Sequence, residues 1–169
     1  EENEHDRYQP LEPGAETGTV LEHCRRALMR VLARGVGAHG LLLIGTGDWN
    51  DAFDRVGAQG RGESVWLTWF FAITARKFAA LVGGHAAKQL ALAADHCTRA
   101  AEGAWDGAWY RRGYYDDGRP LGSEACGECR IDAIAQAFAA LDTHADRGRV
   151  HTALTSAVEH LFDREHNVV

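Results

Sequence analysis

The segment Gly40 to Gly57, GLLLIGTGDWNDAFDRVG, gathers the residue types that can do chemistry. An apolar run, Leu41 to Ile44, breaks at Gly45 and Gly47. Asp48, Trp49, Asn50 and Asp51 then follow in four consecutive positions. The two aspartates stand three apart, which on a helical turn puts their Cβ atoms on one face, about 5–6 Å from each other. Carboxylates paired in this way suit glycosidic chemistry, one as acid and the other as base or nucleophile. Trp49 offers a flat apolar surface for the C–H face of a sugar ring. Asn50 adds a donor and an acceptor. The same residues also suit a plain Asx-type turn, in which the aspartates cap backbone N–H groups and Trp49 fills the core.

A second pattern is Cys126-Gly127-Glu128-Cys129. Such a C-x-x-C can be half of a zinc site or a redox pair. No second C-x-x-C exists, His144 and His151 are loosely placed, and the strand-to-helix context of a redox motif is missing. Plain reduced thiols are the expectation for these cysteines and for Cys24 and Cys97. His85, His96 and His160 read as surface or core residues.

These residues need elements to hold them. The chain has 169 residues, 46% of them hydrophobic, with three prolines and recurrent alanine, a balance that favours helices. Residues 1–18 read as an irregular lead-in. Thr19-Val20-Leu21-Glu22 has a capping-box pattern, and Val20, Cys24, Leu28 and Val31 follow at helical spacing up to Gly35. A second helix is expected from Glu63 to Val82, apolar almost all round and therefore buried on most sides. A third covers 85–101. Trp109 to Tyr115 and Asp116-Asp117-Gly118 predict a short hairpin. A fourth helix carries Ile131, Ile134, Phe138 and Leu141, and a fifth carries Val150, Leu154, Val158 and Leu161. The connection from 36 to 62 is longer than usual, as functional loops often are.

Charge bounds the partners. The net charge is −6, without a block of five like charges, which argues against nucleic acid and anionic membrane. No run of 18 apolar residues suggests a membrane span, and no signal peptide is visible. The only methionine is Met29, so the expectation is a piece of something longer.

Four blocks, in order, carry a resemblance: GTGDWNDAFDRVG, GRGESVWLTWF, AWDGAWYRRGYYDDGRPLGS and ECRIDAIAQAF. Together they resemble the phosphorylases of glycoside hydrolase family 94. The likeness is to the branch holding the phosphorylase-like module of cyclic β-1,2-glucan synthases and the β-1,2-oligoglucan phosphorylases. It runs from about Arg7 to the end. The resemblance implies an all-α fold, part of an (α/α)6 barrel with a long catalytic loop and a short hairpin, residues 1–169 forming a partial catalytic domain. It implies Asp51 as the general acid and Trp49 as the lining of the subsite for the transferred sugar. Asp48 then has a structural job, holding the loop through backbone N–H groups. Asn50, Arg61, Glu63, Tyr110, Arg112 and Gln136 complete the expected substrate-binding set. For Glu63 the start of a helix is the competing reading, and for Tyr110 and Arg112 a solvated hairpin.

The activity so implied is phosphorolysis of β-1,2-linked glucans with inorganic phosphate, giving glucose 1-phosphate, or the reverse. No cofactor or metal is implied beyond phosphate as co-substrate. Alternatives are a phosphorylase for another β-linked disaccharide such as cellobiose, and a non-catalytic glucan-binding or structural fragment. The expected partners are the glucan, phosphate or glucose 1-phosphate, the rest of the parent chain and a second copy in a homodimer. The expected location is cytoplasmic, alone or as the cytoplasmic module of a membrane-bound synthase. The segment alone is expected to be inactive. Two departures from the family pattern are Ala52-Phe53-Asp54, where Gly-Met-Asn is common, and Phe138, where Trp is common.

Overall fold

A computed structural model describes residues 14–168; residues 1–13, Val169 and the side chain of Asp51 lie outside the described residues. Most of the expected lead-in falls outside them. Helix α1, Val20–Arg34, starts where Thr19 accepts a hydrogen bond from the Glu22 amide through its hydroxyl, 3.2 Å, and ends at Gly35 with φ +91°. The carboxylate of Glu22 does not complete a capping box. It binds Arg25 and Arg26 instead, and these hydrogen bonds lower its pKa to about 2.

Helix α2, Val65–Val82, begins two residues later than the sequence suggests, because Ser64 is its N-cap and accepts from the Leu67 amide. Glu63 lies outside the helix, in strand β1, Glu63–Ser64. Over its 18 residues α2 reaches a mean hydropathy of 1.4, so by length and composition it could cross a membrane, which the search for a continuous apolar run did not bring out. In the structure it packs against α3, Gly84–Gly103, and α4, Ala133–Leu141. Helix α5, Arg147–Leu161, packs on α4. Phe70 and Leu81 of α2 stay exposed, and its other large apolar residues are buried or half-buried.

The expected hairpin exists: β2, Gly113–Tyr114, pairs antiparallel with β3, Pro120–Leu121. The sequence did not announce its third strand. β1 pairs with β2, Glu63 opposite Tyr114 and Ser64 opposite Gly113. The segment 41–44 is laid along the other side of β1, through the Ser64 amide to Leu42 O, 3.0 Å, and the Ile44 amide to Gly62 O, 2.9 Å. Leu41, Leu42 and Ile44 are buried. The stretch Leu41 to Ile44 of the long connection is therefore part of the core, and the loop proper follows it, 45–61. The observed architecture is five helices and one small sheet among the described residues, mainly helical as expected.

Candidate active site

The loop after Ile44 is held from the hairpin at both ends. At its far end the Asp116 carboxylate accepts from three donors, the amides of Gln59, 2.7 Å, Arg61, 2.8 Å, and Gly62, 2.9 Å. Burial opposes the charge of Asp116, but these amides outweigh it and lower its pKa. At the near end sits the pair Asp48–Arg112. Arg112 reaches both carboxylate oxygens, Nη2 to Oδ1 at 2.6 Å and Nη1 to Oδ2 at 2.8 Å. The two side chains are 0% and 1% exposed. Ser64 Oγ donates to Asp48 Oδ2, 2.6 Å, and the Asn50 amide donates to Oδ1, 3.2 Å. Burial alone would raise the pKa of Asp48; the Arg112 and Ser64 hydrogen bonds reverse this and hold it below the usual carboxylate value.

The Asx-turn half of the opening alternatives is thus realised at Asp48, although backbone N–H groups are not its main partners. The helical-face geometry is not realised. Asn50 is extended, with φ −100° and ψ 110°, and the single 3-10 turn starts only at Asp51 and runs to Phe53. Asn50 caps that turn, its Oδ1 accepting from the Ala52 amide at 3.0 Å. Trp49 does not fill the core. It is 71% exposed, its ring 6.4 Å from that of buried Trp66 and tilted by 53°. Trp66 in turn stacks on Phe70 and meets Phe138 edge-on at 5.5 Å.

The other expected site residues separate by burial. Glu63 is 2% exposed and accepts from the amides of His39, 3.0 Å, and Leu41, 3.1 Å, with His39 Nδ1 at 2.5 Å. His39 stacks on Tyr114, the rings 3.6 Å apart. Glu63 therefore fixes the strand that leads into the loop and is withdrawn from solvent. Arg61 is exposed but turned to protein: Nε donates to Asp116 O, 3.1 Å, and Nη2 to Gln59 Oε1, 2.7 Å. It borders a cavity of about 280 Å³ together with His39, Glu63 and Asp116.

Tyr110 and Gln136, expected in the substrate-binding set, are placed inside the protein. Both are fully buried. The Gln136 amide mimics a strand partner, its Oε1 accepting from Tyr110 N, 2.9 Å, and its Nε2 donating to Tyr110 O, 2.8 Å. The Tyr110 hydroxyl donates to Glu102, and its ring packs between Trp69 and Trp105. Polar groups satisfied in this way have nothing left to offer a sugar. Arg112 is equally removed from solvent, so the solvated hairpin is also excluded for this pair. Of the expected set, Trp49 and Asn50 face outward, and Asp51 lies between them and Phe53.

Arg112 has two further neighbours that the sequence did not pair with it. Asp132 Oδ2 stands 3.3 Å from its Nε, and the Phe53 ring centre lies 4.7 Å from its guanidinium carbon. Asp132 is also the N-cap of α4 through the Ile134 amide, 2.8 Å. The departure at Phe53 thus bears directly on how the loop rests. The C-x-x-C thiols are unpaired; burial, and Asp132 beside it, raise the pKa of Cys129. No group of three metal-ligating side chains occurs among the described residues.

Known proteins with similar sequences include a glucan synthase and phosphorylases. The chain is 44% identical over 174 aligned residues to the cyclic beta-(1,2)-glucan synthase NdvB of Rhizobium meliloti, an alignment covering 100% of this chain and 6% of that protein. It is 35% identical over 147 residues to the 3-O-beta-D-glucopyranosyl-beta-D-glucuronide phosphorylase of Paenibacillus borealis, covering 84% of this chain and 19% of the relative. To the solabiose phosphorylase of the same organism it is 33% identical, over 90% of this chain and 20% of the relative. The chain spans a fifth or less of the length of these relatives. The family model described as the catalytic domain of the glycosyl hydrolase 94 superfamily matches residues 1–169, and the chain belongs to that family.

Proposed function

We propose that this segment forms part of the catalytic domain of an inverting glycoside phosphorylase that acts on β-1,2-linked glucans. In that reading the remaining helices of an (α/α)6 barrel, and the residues that bind phosphate, come from the rest of the parent chain. The module works in the cytoplasm, alone or as part of a larger membrane-bound synthase. The observation that carries the reading is the setting of Asp51. It opens a short turn beside a largely exposed indole, on a loop held at both ends from the hairpin.

An inverting hydrolase needs a second carboxylate to activate water. Asp48 is committed with both oxygens to Arg112, Ser64 and Asn50, which supports a one-carboxylate reaction. Phosphate is already an anion and a nucleophile. Its oxygen attacks C1 of the terminal glucose, and the bond from C1 to the glycosidic oxygen breaks. That oxygen takes the proton of Asp51 and leaves as the hydroxyl of the shortened glucan. Glucose 1-phosphate and the Asp51 carboxylate remain. In reverse, the carboxylate takes the acceptor proton. Trp49 lies under the sugar that is transferred.

The identities of 33–35% to phosphorylases of other substrates favour, as a second reading, the same chemistry on another β-linked disaccharide, cellobiose among them. Linkage is settled by assaying phosphate consumption with each disaccharide. The acid is tested by Asp51→Asn in the full-length protein. General acid catalysis is worth about 10²–10⁴ in rate, and a sugar is a poor leaving group, so the loss is expected at or above that range. Turnover within about tenfold of the parent refutes the assignment.

A further inference from the structure

We propose that Arg112 is the positioning residue of this reaction, its guanidinium setting the place of the Asp51 carboxyl by holding the chain on both sides of it. This rests on the reading of Asp51 as the general acid. Arg112 binds Asp48, three residues before Asp51, through both carboxylate oxygens, and lies against the ring of Phe53, two residues after it. Between these anchors the Asn50 side chain closes the turn on the Ala52 amide. The six residues from Asp48 to Phe53 are thereby spanned by one side chain and one cap.

The guanidinium is itself fixed. Its backbone amide donates to Leu121 O, 2.8 Å, and its carbonyl accepts from Val65 N, 3.1 Å, so it is built into the hairpin and the first turn of α2. At Gly122, φ +73°, a Cβ would fall 2.6 Å from Arg112 N and 2.7 Å from its Cβ, so the backbone there can only be glycine. Ser64 Oγ, the N-cap of α2, accepts from Nη1, 3.2 Å, and the carboxylate of Asp132, the N-cap of α4, stands 3.3 Å from Nε as a charge neighbour without a hydrogen bond. The loop, two helices and the hairpin thus meet at one planar cation that is 1% exposed.

A planar fork can address two oxygens of Asp48 and a third partner together; an ammonium cannot. Stability alone does not call for such a pair, since apolar residues of similar volume often replace buried ion pairs at no cost. Its hold on the chain on both sides of Asp51 gives it a use. A misplacement of about 1 Å can cost about 10²-fold in rate.

The test compares two substrates of the full-length protein. One is a β-1,2-glucooligosaccharide, whose departing sugar needs a proton. The other is dinitrophenyl β-glucoside, whose phenolate leaves without one. Arg112→Lys and Asp48→Asn are each expected to lower kcat on the oligosaccharide by about 10²-fold with little change in KM, and to leave the aryl glucoside within about threefold. Asp51→Asn should show the same selectivity, more strongly. Equal losses on both substrates would mean general damage to the fold and overturn the proposal, as would unchanged turnover of the oligosaccharide. If neither variant folds, Asp132→Asn, which keeps a cap oxygen for the Ile134 amide and removes the charge 3.3 Å from Arg112, decides. It is expected to give a smaller loss of the same selectivity, and no selective loss overturns the proposal. Selective loss in Asp51→Asn without it in the Arg112 variants sinks this proposal alone. No loss in Asp51→Asn sinks the acid and this proposal with it.

Discussion

Asp48→Asn measures what the clamp contributes to the fold. The substitution keeps the shape of the side chain but turns an amide toward a buried guanidinium. It removes the charge from two hydrogen bonds of 2.6 and 2.8 Å and weakens a third, from Ser64 at 2.6 Å. Breaking one partner of a buried pair costs about 3–5 kcal/mol. Asp132 remains 3.3 Å from Arg112 and still gives it an anionic neighbour, which argues for the low end, about 3 kcal/mol. For a domain of 150–250 residues, each kcal/mol lowers Tm by about 2–4 °C, so the transition should fall by about 6–12 °C. Calorimetry on Asp48→Asn, Arg112→Met and the double variant completes a cycle. The single variants strand a charge, whereas the double variant strands none in that pair, so it is expected to regain at least about half of the larger single loss. A fall of under about 2 °C for Asp48→Asn, or a double variant as unstable as the two singles added together, refutes the reasoning.

Other outcomes follow from the same geometry. Trp49→Ala is expected to weaken donor-sugar binding while moving stability by no more than about 0.5 kcal/mol, because the indole is 71% exposed; calorimetric titration and a thermal melt separate the two, and a large stability loss with unchanged affinity would return Trp49 to the core. Gln136→Leu orphans the Tyr110 amide and carbonyl, each worth about 1–3 kcal/mol, and is expected to lower Tm while leaving KM unchanged; an altered KM with an unchanged melt would restore it to the binding set. The pKa of Asp48 is lowered on folding, so its stabilisation is complete above the ordinary carboxylate value of about 3.9 and is lost as pH falls through the lowered one. Urea midpoints below about pH 4 should therefore drop, and less steeply in Asp48→Asn; equal slopes in the two proteins contradict this.

Much of the scaffold was legible because helices announce themselves locally. Thr19 and Gly35 bound α1 as their types predict, and the stripe of α3 is buried where the periodicity puts it; in α4 and α5 the helices form as expected, but Ile131 lies ahead of α4, and Leu141, Leu154 and Val158 stay exposed while Ala135, Ala139, Ala153 and Ala157 face the core. The misses are non-local. A strand of two residues has no period to detect, so β1 stayed hidden, and Glu63 looked like the first residue of a helix. The preference for burying Tyr110 with Gln136 depends on residues 26 apart in sequence, and their polar side chains read as binding groups because nothing nearby marks them as paired. The same limit applies to α2, whose apolar surface does not say which of its sides the described residues cover.

Asp48 and Asp51 show the limit most sharply. Their types are identical and their spacing suits either role, so the sequence alone left a choice between a catalytic pair and a turn. The partner that divides them is Arg112, 64 residues away from Asp48. A carboxylate that meets a buried guanidinium through both oxygens is held ionised and cannot deliver a proton near neutral pH. Asp48 is thereby excluded as the acid on physical grounds, independently of any family pattern. On the proposed reading proton transfer falls to Asp51, the other carboxylate of the block. The two aspartates then serve opposite ends, since the lowered pKa that makes Asp48 a good anchor is what an acid at neutral pH must avoid.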